Sequence, residues 1–252
     1  MISIFKREVS AYFNSSLAWS LIAAFMVILG MIFVSLLGIY SEQSLTAASS
    51  PFGAQSLNPT DRVMVPTFQW IGYLLLFIMP IITMRLIAEE SRQGTLEMLF
   101  TYPITDSQIV LGKFFGGLSV VGVLMGLSST MFVSLSRLTE IEWKLVASGY
   151  FGVLLLGCAF VSFGLWASSL TSSQMIAAAL TYCGLLSSWL VVIVGDRIKP
   201  LKDIFGDLSS MGHLQEMAKG TVSTHHVVYY LAWTALFLFL TVRTLESRKW
   251  SA

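Results

Sequence analysis

Six stretches of this chain, at roughly 17–39, 66–88, 112–135, 145–167, 175–195 and 226–243, are each long and apolar enough to cross a lipid bilayer. A bilayer core asks for about 20 apolar residues in a helix that rises ~1.5 Å per residue. Lipid offers no partner for a backbone N–H or C=O, so segments of this kind have to be helices. No charged side chain falls near the middle of any of them. The sequence therefore predicts an all-α membrane protein, a single domain over 1–252 with six transmembrane helices. The sixth stretch is the shortest and leans on Tyr229, Tyr230 and Trp233 as interfacial aromatics.

Composition narrows the function. The 252 residues are 55% hydrophobic and only 12% charged, whereas soluble domains carry about a quarter charged residues. A formal net charge of +1 leaves no basic footprint for nucleic acid. Cys158 and Cys183 lie inside apolar runs without metal-ligand spacing and read as buried free thiols. Lys6 and Arg7 precede the first stretch as they would in a secretory signal, but its apolar run exceeds the ~7–15 residues of such a signal. It reads as a retained anchor.

An even number of spans puts both termini on one side. With that side inside, the inner segments hold eight lysines and arginines and the outer segments seven. That is hardly a bias, although the two termini favour an inside placement.

The segments between spans carry their own patterns. Residues 2–15 place Ile2, Phe5, Val9, Tyr12 and Phe13 along one helical stripe, with Lys6, Arg7 and Glu8 elsewhere. This predicts a short amphipathic helix lying in the membrane interface. Ser41–Pro66, rich in Ser, Ala, Gly and Pro, reads as an exposed loop. Lys199–Gly220 repeats apolar residues at Leu201, Ile204, Phe205, Leu208, Met211, Leu214 and Met217, with Pro200 suited to a first turn and Gly220 to a stop. It reads as one or two short helices bedded in the far leaflet. Glycines recur at Gly112 and Gly116, then at Gly122 and Gly126, a face that lets helices approach closely in lipid.

The stretch EESRQGTLEMLFTYPIT, Glu89–Thr105, interrupts this apolar sequence with three carboxylates, an arginine, a glycine and a proline. Gly94 breaks the helix leaving the second span. Thr95 suits the N-cap of a new one, with Glu97 in its first turn against the positive end of the dipole. Leu96, Leu99 and Phe100 follow at i, i+3 and i+4, and Pro103 ends the run. Thr105–Gln108 then has the form of a capping box that launches the third span. A helix of about two turns does not persist alone in water. Either the membrane surface or a groove on a partner protein holds it, and pattern alone leaves both open.

These residues resemble a known family. From Glu90 through Lys113 the chain follows the pattern E-x-x-x-G-T-x-E-x-L-L/F-x-x-P-[IV]-[ST], with a Gly-Lys soon after, which is similar to type-2 ABC exporter permeases. KREVSAYFNSSLAW resembles the same family's leader, although Ser16 stands where a proline is common. SSLTSSQMIAAAL, Ser168–Leu180, resembles its connector between spans four and five, and VVYYLAWTALFLFLTVRTLESRKW is most similar to the gliding-motility-associated branch. The resemblance implies a homodimer or heterodimer of six-span subunits in a bacterial cytoplasmic (inner) membrane, with both termini cytoplasmic. Each subunit would dock on a separate ABC nucleotide-binding subunit that carries the ATP and Mg, so that this chain binds no cofactor and is no enzyme itself.

The resemblance also implies roles. The coupling helix would lie over Thr95–Thr101, with Glu89, Glu90, Gly94, Thr95, Leu96, Glu97, Leu99, Phe100 and Pro103 forming the interface to the ATPase; Glu89 and Glu90 have the alternative of pairing locally with Arg85, Arg92, Lys6 or Arg7. An elbow helix would carry Phe5, Lys6, Arg7, Tyr12 and Phe13, and short outer-leaflet helices would match Lys199–Gly220. An accessory membrane protein with a large extracytoplasmic domain often accompanies this branch.

Residue chemistry gives an independent argument. Proton- and sodium-coupled carriers usually hold acidic or histidine residues within the membrane, and these spans hold none. Gly112-Lys113 lacks the upstream glycine of a P-loop and is followed by Phe114. Driven transport would have to draw power from another polypeptide. An intramembrane enzyme is disfavoured, because no His, Asp or Glu accompanies the Ser, Thr and Cys at membrane depth. His225 and His226 at the mouth of the sixth span read as interfacial and structural rather than metal-binding, since no third ligand is obvious and His213 lies some distance away in sequence. The expected function is the membrane subunit of an ATP-driven exporter. The alternative is a non-transporting scaffold or assembly subunit of a larger complex. Apolar spans point weakly to a lipid-like or extended cargo.

Overall fold

Two helices form the centre of the bundle, and both owe that place to what their sequences allow to come close. The structure is a computed structural model that describes residues 2–48, 59–95, 105–139, 141–197 and 209–249. In chain order these form α1 (Ile2–Phe13), α2 (Ser16–Ala48), a π-helical turn (Thr60–Met64) running into α3 (Val65–Thr83), α4 (Ala88–Arg92), α5 (Asp106–Leu135), α6 (Trp143–Ser169), α7 (Gln174–Arg197), α8 (Ser210–Ala218) and α9 (Thr224–Lys249). Among the described residues there are no strands, and six helices are long and apolar enough to span a membrane. These are α2, the run from the π-helical turn through α4, and then α5, α6, α7 and α9.

In the apolar windows of the second and fourth spans 67% of residues are buried, against 11% in the sixth, so α3 and α6 are central and α9 keeps most of its surface outward. In lipid the apolar surface of a helix gains little by leaving hydrocarbon, so packing depends on close approach. Glycines along α6 supply it. Gly149 lies against the ring of Phe68, Gly152 against Leu214 and Met217, Gly157 against Val121 and Gly164 against Thr83. A side chain at Gly157 would put its Cβ 2.7 Å from Val121 Cγ1. This line of contacts joins α6 to α3, α5 and α8.

The glycines of the third span divide in use. Gly116 receives α1, and a Cβ there would sit 2.7 Å from that of Glu8. Gly122 and Gly126 have open space before them. An aromatic cluster closes the upper core: Phe68 stacks on Phe132 at 4.8 Å between centroids, and Tyr150 meets both edge-on while its hydroxyl lies 3.0 Å from Ser128 Oγ.

Several expectations change. Ser41–Ala48 is helical rather than looped, because Glu42, Gln43, Leu45, Ala47 and Ala48 favour helix and no glycine or proline intervenes. The hydroxyls of Ser41 and Thr46 fold back onto carbonyls of the preceding turn. At the other end of that stretch, Thr60–Pro66 is helical too, leaving 49–58 outside the described residues. In α1, Phe5, Val9, Tyr12 and Phe13 of the expected stripe are half-buried, while Ile2 is exposed and Ile4 is buried in its place. Cys158 is half-buried, but Cys183 faces outward from α7, and both are free thiols. Thr105 precedes α5 as expected, yet its hydroxyl pairs with Ser107 Oγ at 3.2 Å and makes no side-chain cap.

The segment before the sixth span matches its pattern where it is described. Met211, Leu214 and Met217 of α8 are buried against the core, and Gly220 ends the helix at φ +89°, with Thr221 N–H donating to Glu216 O at 3.2 Å. Pro200, Leu201, Ile204, Phe205 and Leu208 lie outside the described residues.

Candidate coupling site

The second span has to stop being a helix before it reaches the charged stretch, and a break in lipid must find partners for its freed backbone groups. Pro80 is tolerated within α3, where Thr83 Oγ1 donates to Met79 O at 2.8 Å. The chain then turns over Met84–Ile87. Ser168 of α6, fully buried, mends this break. Its hydroxyl accepts the N–H groups of Ile87 (3.2 Å) and Ala88 (3.0 Å) and donates to Met84 O (3.2 Å). One serine thereby fixes the direction in which α4 sets off.

Only five residues long, α4 is held from several sides. Glu90 projects between α1 and α5. Its carboxylate pairs with the Arg7 guanidinium and, 2.9 Å away, with Lys113 Nζ. Lys113 also meets Glu8 Oε1 at 2.9 Å. The lysine side chain is 1% exposed, and those of Glu8 and Glu90 are 12% and 17% exposed. Two carboxylates and two cations make a neutral quartet that welds α1, α4 and the start of α5. Glycine at 116 is what lets the Glu8 backbone come near enough. From the far end of the chain Arg248 Nη1 donates to Ser91 Oγ at 2.9 Å. Glu89 turns outward, accepting from Gln93 Nε2 at 3.1 Å and lying 3.9 Å from Arg85 Nε. Both terminal helices thus meet α4 at one end of the bundle, as an even number of crossings requires.

Beyond α4, Gln93 N–H returns to Glu89 O at 3.0 Å, and Gly94 takes φ +67°, a left-handed conformation that glycine adopts without a Cβ penalty. Thr95 Oγ1 donates back to Glu90 O at 3.3 Å. Leu96, Glu97, Leu99, Phe100 and Pro103 lie outside the described residues.

On α1, Phe5, Tyr12 and Phe13 are half-buried, and Lys6 and Arg7 are exposed. Tyr12 donates its hydroxyl to Ile82 O at 2.9 Å. Burial, reinforced by the nearby Glu8 charge, raises the Tyr12 phenol well above its usual range, so it stays a donor. Beside it a cavity of about 290 Å³ opens between α1, α2, α3 and α5, with Leu21, Ile78 and Leu124 on its walls and Arg85 and Glu89 at one end.

Of the local pairings that the sequence offers Glu89 and Glu90, the structure forms Arg85 with Glu89 and Arg7 with Glu90. Lys113, Glu8 and Ser168 are missed by sequence reasoning. Lys113 reads as an inner-edge charge and Glu8 as part of the polar face. The signal that could have found them is a lysine and a glutamate each placed within one turn of apolar neighbours.

Comparison with known proteins agrees with this architecture. "Probable ABC transporter permease protein NosY" of Pseudomonas aeruginosa is 35% identical over 139 residues, 50% of this chain and 50% of the relative. The protein of the same name from Stutzerimonas stutzeri is 34% identical over 146 residues, 52% of this chain and 50% of the relative. The chain thus spans about half the length of the curated relatives it matches. The signature described as ABC-2 family transporter protein covers residues 2–250, nearly the whole sequence. This multi-pass membrane protein, with six helices long and apolar enough to span a membrane among its described residues, belongs to the ABC-2 transporter family.

Proposed function

We propose that this subunit is an export permease worked by ATP hydrolysis on a separate nucleotide-binding subunit. The residues after Gly94, Thr95–Thr101, form its coupling helix, and α1 is its elbow helix. One observation carries the reading: α4, the last described element before that segment, is tied to α1 by Arg7, to α5 by Lys113, to α6 by Ser168 and to α9 by Arg248. A displacement delivered through Gly94 would reach four helices at once. Rigid packing along the α6 glycines would pass it into the membrane.

In this account two such subunits, alike or different, sit in the bacterial inner membrane with both termini cytoplasmic. ATP and Mg bind on the partner, whose closure moves the coupling helix. The apolar-walled cavity with a charged end fits an amphiphilic or lipid-like cargo. An accessory membrane protein with a large extracytoplasmic domain would complete the complex.

Gly94→Val tests the linkage. A β-branched residue at φ +67° carries a strain on the order of 1–2 kcal/mol, about tenfold in the population of the native turn. In proteoliposomes with the nucleotide-binding subunit, the variant is expected to insert normally and to lose about tenfold in coupled transport. Normal transport would count against Gly94 as the hinge of the linkage.

A further inference from the structure

The chain has three histidines, and all of them meet at the end of α9 opposite to α4. His225 and His226 open α9, while His213 comes from α8. Ring centroids are 5.4 Å apart for His213 and His225, 4.9 Å for His213 and His226, and 5.7 Å for His225 and His226. One ring nitrogen from each lies within 4.8 Å of the others. The third ligand that sequence spacing did not offer is therefore supplied by the neighbouring helix.

We propose that His213, His225 and His226 form a metal site that takes one borderline divalent cation of the Zn2+ class and so fastens α8 to α9. Three arguments carry it. First, three imidazoles, grouped with no carboxylate or thiolate among the described residues, suit first-row transition ions rather than Mg2+ or Ca2+. Second, the set is held in place. Ser209 caps α8, accepting from Gly212 N–H at 3.1 Å, and Leu214 and Met217 beside His213 are fully buried. His213 itself is 2% exposed and stacks near Tyr229 at 4.2 Å. Third, little movement is needed. His213 Nδ1 and His226 Nδ1 stand 2.6 Å apart, the distance of a shared proton. Tetrahedral ligation at about 2.0–2.1 Å spreads two nitrogens to roughly 3.3 Å, which a small rotation of the exposed-side ring supplies. His225 is exposed and His226 half-buried, so a cation can reach the site from outside. Three protein ligands leave a fourth position for water or for a group on a cargo or partner at this face.

The test uses the full-length protein in lipid nanodiscs, carrying no polyhistidine tag. Zn2+ titration is expected to show one ion per chain, and Co2+ to give the intense visible absorption of tetrahedral coordination. His225→Ala and His226→Ala, both at accessible positions, should each weaken Zn2+ binding at least tenfold. Excess Zn2+ should raise the thermal midpoint of the parent and not of the variants. Absence of stoichiometric Zn2+, a Co2+ spectrum of octahedral type, or unchanged affinity in both variants would overturn the site.

Discussion

Lys113→Met is expected to destabilise the protein by about 3–5 kcal/mol, the cost of leaving buried charge without its partner. The methionine keeps the apolar stem and removes only the ammonium group. Glu8 and Glu90 then face each other at 12% and 17% exposure, with Arg7, half exposed, as the remaining cation. In lipid nanodiscs the thermal midpoint should fall by roughly 10 °C, and α1 should become accessible to protease. The triple variant Lys113→Met, Glu8→Gln, Glu90→Gln should recover most of the loss, because uncharged amides replace the orphaned carboxylates. A single variant as stable as the parent would remove the quartet from the account.

Phe100→Ala is expected to weaken binding of the nucleotide-binding subunit by about 30-fold, corresponding to the 2 kcal/mol or more that an aromatic anchor in a desolvated pocket contributes. Leu99→Asp should do at least as much, since it places a charge where an apolar cleft is expected. Glu97→Lys should alter ATP turnover through the rim of the same contact. None of these changes touches the quartet around Lys113, so membrane insertion and thermal stability should hold. Binding measured between the solubilised permease variants and the purified ATPase separates the two predictions cleanly.

Particular residues show how much of this was legible. The six spans follow from length and apolarity, because lipid permits little besides helices there. Gly94 as a break was legible since only a residue without a Cβ takes φ +67° cheaply. The Arg7–Glu90 pair could be foreseen from opposite charges near one membrane edge. Lys113 could not be given its role, because its partner Glu8 is 105 residues away in the sequence and the apolar neighbours of each mark a buried charge without naming its partner. The same holds for the glycines of α6. Their value depends on Phe68, Leu214 and Thr83 in other helices, whereas the regular spacing in the third span draws attention to Gly122 and Gly126, which face open space among the described residues. His213 joins its partners only once α8 folds back on α9. The stretch 41–48 reads as a loop because of its serines and threonine, although Ser41 and Thr46 bond back onto their own helix.

The linkage between motor and membrane subunit is tested most directly by a photo-reactive amino acid placed at Glu97 in the intact complex. The account predicts that light joins this residue to the nucleotide-binding subunit, with yield changing when ATP is added. Capture of lipid alone, or reaction with a probe confined to the outer face of the membrane, would contradict it.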